Sequence, residues 1–157
     1  MIWLVALAVV AAVLLLLGAP YVPTHTSDLD LLFEELSPGD NRSFADLGSG
    51  DGRVLRRAQT HGFVVVGFEI NPLFWLLSKF HLGWRTSVRL KPWQQADLSA
   101  FDVVYIFSTS WHMHSPSVER LPKSATIVVY GPQPRALAGR PSTVCGSAVI
   151  YQPVARD

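Results

Sequence analysis

The chain of 157 residues has one cysteine, Cys145, so no internal disulfide is available, which fits a reducing compartment. Charged residues are sparse, at 16%, and from Met1 to Ala19 ("MIWLVALAVVAAVLLLLGA") there are none. Nineteen helical residues rise about 28 Å, enough for a hydrocarbon layer of ~30 Å, so this stretch reads as one membrane span. A cleaved signal would want Lys or Arg ahead of the run and a small-x-small site after it. Only Met1 precedes the run, Leu17 occupies the −3 position of Leu17-Gly18-Ala19, and Pro20 follows. Beyond it, Asp28, Asp30, Glu34, Glu35, Asp40 and Asp46 face a single base, Arg42, so loop charge sets no orientation. No run of five bases occurs: Arg53, Arg56, Arg57, Lys79, Arg85, Arg89 and Lys91 are scattered. No nucleic-acid partner is therefore expected, and attraction to anionic headgroups beside the span fits the same charges. Internal repeats are absent, and the length allows one domain behind the apolar run.

What is present alternates in type. After the breakers Pro20 and Pro23, Thr26 or Ser27 offers a helix cap, and Leu29, Leu32, Phe33 and Leu36 recur with helical spacing, predicting a short amphipathic helix over residues 28–36. A short apolar run, residues 43–47, leads into a glycine loop and a helix over about 51–61, followed by "FVVVGFE" as a buried strand. Asn71-Pro72, a cap with a first-turn proline, opens a helix whose Leu73, Leu76, Leu77, Phe80 and Trp84 read as its core stripe, with Phe74 and Trp75 beside it. Phe74 and Trp75 read as ordinary core or as a face toward a bilayer or a membrane-embedded substrate. Strands are expected at 87–90, 102–107 and 125–130, with a short helix at 116–121. The last two runs, 143–145 and 148–152, leave no room for a helix between them and predict a hairpin. The fold class is therefore α/β: a mostly parallel sheet wrapped on both faces, with an antiparallel C-terminal edge.

The loop "DLGSGDG" places Gly48, Gly50 and Gly52 after the first strand, where an open parallel sheet binds its ligands. Its spacing is G-x-G-x-G. The dinucleotide fingerprint needs G-x-G-x-x-G and a P-loop needs G-K-[ST], so neither phosphate-binding reading fits. Glu69 ends the second strand, 17 residues after Gly52, where a carboxylate accepts from ribose hydroxyls. Asp97 follows the third strand, placed to meet an exocyclic amine. Each acid alone reads equally as a cap or a surface charge.

Together "DLGSGDG", "GFEINP" and "ADL" before "DVVYIF" resemble the seven-β-strand S-adenosylmethionine-dependent methyltransferases. With the apolar run and "PYVPT", the chain is similar to the small membrane-anchored protein-lysine methyltransferases, whose animal members modify the adenine-nucleotide translocase and the ATP synthase c-subunit. The resemblance runs to about Phe107. It implies a seven-stranded Rossmann-like sheet behind one transmembrane helix, with S-adenosyl-L-methionine as cofactor. Asp46, Gly48, Ser49, Gly50 and Gly52 would form the cradle, Glu69 would hold the ribose beside the cap Asn71, Asp97 would read the adenine, and Thr24 would lie near the amino-acid end.

On the acceptor side, "STSWHMHSP" lacks Asn-Pro-Pro-Tyr, which argues against amide or adenine methylation, and leaves Ser108, Trp111, His112 and His114 as candidates. A His-x-His pair without a third ligand does not make a zinc site, and no metal is expected. The expectation is a membrane anchor over 1–19, a linker with its helix over 20–42 and a methyltransferase domain over 43–157, on the cytoplasmic side of a single-pass membrane. It would act on lysine of a protein, one embedded in the membrane included. A small-molecule or lipid acceptor, or a non-catalytic cofactor-binding scaffold, are the alternatives.

Overall fold

The computed structural model describes residues 2, 3, 5, 24–37, 40–110 and 115–154. Its elements run α1 (Thr26–Glu35), β1 (Ser43–Leu47), α2 (Arg53–Thr60), β2 (Val64–Glu69), α3 (Pro72–Leu82), β3 (Ser87–Leu90), β4 (Val103–Phe107), β5 (Thr126–Tyr130), β6 (Ser142–Cys145) and β7 (Ala148–Tyr151). The strands form one seven-stranded sheet in the order β3-β2-β1-β4-β5-β7-β6. β1 to β5 pair in parallel, and β7 pairs antiparallel with both β5 and β6. Order reverses beside β1, so the carboxyl ends of β1, β2 and β4 meet around the glycine loop.

Alternation along each strand divides the core into two layers. Phe44, Tyr105, Val128 and Tyr130 face one side, where they pack with Leu29, Leu32 and Phe33 of α1, Val54, Leu55 and Ala58 of α2, and Trp75 and Leu82 of α3. Ala45, Leu47, Ile106, Ile127 and Val129 face the other. The expectation of helices on both faces is corrected here: α1, α2 and α3 all lie on the first side. The second is roofed by 3₁₀ turns at Trp93–Gln95, Pro116–Arg120 and Arg135–Leu137, through Trp93, Val118 and Leu137. Pro92, Pro116 and Pro134 sit before or at the start of these turns, in segments too short for a nucleated α-helix.

The α3 stripe is also corrected. Leu76, Leu77, Phe80 and Trp84 are exposed, and the inward face is built from Trp75, Ser78 and Leu82. The Trp75 indole N–H donates to the Val88 carbonyl at 2.9 Å, and Ser78, fully buried, leaves room for α2 to approach.

The transmembrane helix expected over residues 1–19 is not found. Among the described residues no helix is long and apolar enough to cross a membrane. Of α1, α2 and α3 the longest, α3, has 11 residues and rises about 16 Å against ~30 Å of hydrocarbon. Apart from Ile2, Trp3 and Val5, the segment lies outside the described residues. The anchor, the single-pass membrane placement and the membrane partnership built on it are not retained.

Candidate functional site

The glycine loop leaves β1 at Leu47 and folds back on the end of β2. The N–H groups of Gly48 and Ser49 both donate to the Phe68 carbonyl, at 2.8 and 2.9 Å. The Gly50 N–H donates to Glu69 Oε2 at 2.8 Å. Glu69 Oε1 accepts from Ile70 N–H at 2.9 Å and Asn71 N–H at 2.7 Å, so one carboxylate joins the loop to the start of α3. Asn71, buried, then caps that helix through Oδ1, accepting from Leu73 and Phe74 N–H. Three of the roughly four acceptor directions of the Glu69 carboxylate are thus taken by backbone.

Two glycines are required by conformation, and one of them by space as well. Gly48 has φ 88°, and a Cβ there would stand in open space with nothing within 4 Å. Gly52 has φ 83° as the N-cap of α2, and a Cβ would meet Leu82 Cδ1 at 2.7 Å and Ser78 Cβ at 3.1 Å. The first leaves the turn after β1 open, and the second lets α2 and α3 close.

The electrostatics are acidic. Asp46, on the helix-bearing side of β1 and in register with Tyr105 of β4, is 2% exposed. Burial pushes its carboxyl well above the ordinary carboxylate range, and the negative charges of Glu69 and Asp51 push it further. Asp51 is held by Arg53, whose Nη2 lies 3.0 Å from Oδ2. Ser49 is buried, and its Oγ has no hydrogen-bond partner among the described residues. The site therefore offers an open glycine turn and a buried carboxyl group that has no ion pair among the described residues, which suit a cofactor bearing ammonium or sulfonium charge.

The other residues singled out in the sequence fall elsewhere. Thr24 is buried and shares a 2.8 Å hydrogen bond with the hydroxyl of Tyr105, the residue paired with Asp46. Asp97 is exposed; its Oδ1 accepts from Ser99 N–H at 3.0 Å and Ser99 Oγ–H at 2.6 Å, which holds the carboxyl below its usual range. Its described hydrogen bonds close its own turn and do not reach the loop. Ser108 is buried after β4, its N–H donating to the Tyr130 carbonyl at 2.8 Å. Trp111, His112 and His114 lie outside the described residues.

Tyr105 and Tyr130 escaped the sequence reading. The Tyr130 hydroxyl donates to Asp28 Oδ2 at 2.7 Å, so β4 and β5 each hold the segment before and into α1 through a tyrosine. Burial raises both phenols above their ordinary range, Tyr105 the further. The available signal was a tyrosine inside each of two apolar strands, since a buried phenol needs a partner.

No family model matches the chain. It is 38% identical to the ATP synthase c-subunit lysine N-methyltransferase of Xenopus laevis, over 54% of this chain and 36% of that protein. It is 32% identical to the Caenorhabditis elegans protein of that name, over 65% of this chain and 60% of that one. The chain thus spans between about a third and three-fifths of these two curated relatives. Among solved structures, an RNA methyltransferase from Salinibacter ruber in complex with S-adenosyl-L-homocysteine matches with a TM-score of 0.65 and 24% identity, over 87% of this chain and 98% of that one. An S-adenosylmethionine-dependent O-methyltransferase from Thermotoga maritima matches with a TM-score of 0.63 and 12% identity, over 87% and 69%. The fold is the seven-stranded, mostly parallel, Rossmann-like sheet of these methyltransferases, closed by an antiparallel hairpin. The resemblance to membrane-anchored members is corrected to a distant likeness to the c-subunit enzymes, without a membrane-spanning helix among the described residues.

Proposed function

We propose that this chain is an S-adenosylmethionine-dependent methyltransferase acting on a lysine of a protein. The observation that carries the cofactor is Asp46: a buried carboxyl group near the end of β1, close to Glu69 and Asp51 and followed by a glycine loop that contains no lysine for a phosphate. Such a site repels a phosphate and attracts a cation. The lysine acceptor rests on the likeness to the c-subunit lysine methyltransferases; the matching structures act on RNA, on oxygen acceptors and on a ribosomal protein, so fold alone does not choose.

When bound, S-adenosylmethionine supplies a methyl group made electrophilic by its sulfonium. The chain's residues bind and orient. Gly48, Ser49, Gly50 and Gly52 would form the cradle, Asp46 would meet the cationic amino-acid end beside Thr24, a charge that favours its ionised form, and Glu69 would hold the ribose with its remaining acceptor direction while fixing the loop. Asp97 would serve the adenine side, for which its bonds to Ser99 would have to give way. Ser108, Trp111 and His112 remain the acceptor-side proposal. A lysine amine, with an ordinary pKa of about 10.4, has to arrive neutral, and an enclosed acceptor channel favours that form by desolvation. Alignment of that amine with the methyl carbon then supplies most of the rate.

Two measurements test this. Calorimetry with S-adenosylmethionine is expected to show binding by the wild type and none by Gly50→Arg; no binding by either sinks the cofactor assignment. Labelled methyl transfer to a lysine of the ATP synthase c-subunit is the expected product. Label in lipid or small molecules alone makes the acceptor assignment wrong, and cofactor binding with no transfer to any acceptor class leaves a binding protein.

A further inference from the structure

The outer surface of α2 and α3 carries chemistry that the cofactor site does not use. From Gly52 to Ala96 the chain has seven bases, and its one acid, Glu69, is buried against the glycine loop. Arg53, Arg56 and Arg57 follow within one turn and a half of α2. With Thr26 of α1, Asp51 and Gly52 of the glycine loop and His81 of α3 they line a groove of ≈ 450 Å³, within the size range of ligand sites. Arg53 pairs with Asp51 and Arg57 with Asp30, while exposed Arg56 makes no ion pair among the described residues.

Beside this groove stands an apolar ridge. Leu77, Phe80 and Trp84 point outward, Phe80 80% and Trp84 68% exposed. His81 joins ridge to groove, since its Nδ1 lies 3.1 Å from the Asp51 carbonyl oxygen and draws the last turn of α3 against the start of α2. An arginine-lined groove continuous with exposed aromatics has the composition of an interface centre.

We propose that this surface docks an acidic amphipathic helix of a partner protein, with a carboxylate over Arg56 and its large apolar side chains on Phe80 and Trp84. Arg56, without an ion pair among the described residues, sets the sign of the partner. Shape separates a chain segment from a lipid surface: a flat bilayer would meet the ridge and leave the groove unfilled, whereas a helix about 10 Å across fills both. The groove borders the glycine loop at Asp51 and Gly52, while Arg56, Phe80 and Trp84, on which the inference rests, lie outside the proposed cofactor cradle.

The test uses the full chain and a labelled synthetic peptide of about 18 residues, long enough to form a helix, with Leu and Phe on one face and Glu on the other. A Lys-for-Glu counterpart and vesicles of phosphatidylcholine with phosphatidylglycerol are the other arms. The Glu peptide is expected to bind about tenfold or more tightly than the Lys peptide, and Arg56→Ser and Phe80→Ser are each expected to weaken it about fivefold or more without changing Tm. Equal binding of the two peptides overturns the proposal, as does binding that survives both substitutions. Vesicle binding that is lost with Phe80→Ser, while peptide binding is not, assigns the surface to lipid and overturns it too.

Discussion

The carboxylate of Glu69, at the end of β2, accepts the backbone N–H of Gly50 at 2.8 Å across 19 residues of sequence. The same side chain holds Ile70 and Asn71, so the glycine loop and the start of α3 are positioned by one group.

Glu69→Gln should therefore cost stability as well as cofactor affinity. An amide keeps one acceptor oxygen and turns an N–H₂ toward backbone donors, leaving at least one buried N–H unpaired. A loss of about 2 kcal/mol is expected by urea unfolding, with cofactor binding weakened about tenfold or more by calorimetry. An unchanged unfolding midpoint would show that Glu69 does not organise the loop.

Asp46→Asn is expected to do the reverse for stability. The folded pKa of Asp46 is raised. Above the unfolded value near 4, the unfolded chain has lost a proton that the folded chain retains, so stability falls as pH rises from there toward the folded pKa. The Asn variant lacks this penalty. Its Tm should exceed the wild type's at pH 8, by the equivalent of about 1 kcal/mol or more, and the gap should narrow toward pH 4. Cofactor affinity should drop, and a variant that binds as tightly as wild type removes Asp46 from the site.

Tyr130→Phe removes the phenol that holds Asp28. That hydrogen bond is the largest cause lowering the Asp28 pKa. A lowered acid contributes stability present above its unfolded value of about 3.9 and lost as pH falls through the folded one. The variant should be about 1 kcal/mol less stable than wild type at pH 7, with the difference shrinking near pH 2 in urea titrations. A difference independent of pH would place the effect in packing alone.

Gly48→Ala and Gly52→Ala separate conformation from space. Both positions have positive φ, and a side chain in that region costs about 1–2 kcal/mol. Only Gly52 adds a clash, at 2.7 Å from Leu82 Cδ1. Gly52→Ala should thus lower the unfolding free energy more, while Gly48→Ala, whose methyl enters the open cradle, should fold and lose cofactor affinity. Equal destabilisation by the two would deny the close approach of α2 to α3.

Local features of the fold were legible because local rules set them. β1 and β3 fall at the expected residues, and Leu29, Leu32, Phe33 and Leu36 are buried as their spacing requires. Asn71-Pro72 starts α3 as a cap and first-turn proline should. The cap of α1 is different: His25 holds that position without a side-chain hydrogen bond, and the segment is held instead by Thr24 with Tyr105 and Asp28 with Tyr130. Those partners lie 81 and 102 residues away, beyond any local pattern.

The sequence by itself determined the strands, the glycine turn and the acids around it, because period-two hydrophobicity, positive φ and strand ends are properties of neighbouring residues. Only the tertiary structure decided which side of α3 is inside. Its apolar residues run nearly all round, so hydrophobicity selects no face; the approach of Gly52 selects the small residue Ser78, and the Trp75 bond to Val88 locks the rotation. Packing therefore turned Phe80 and Trp84 outward, since a close helix contact rewards fit over the size of the side chain buried.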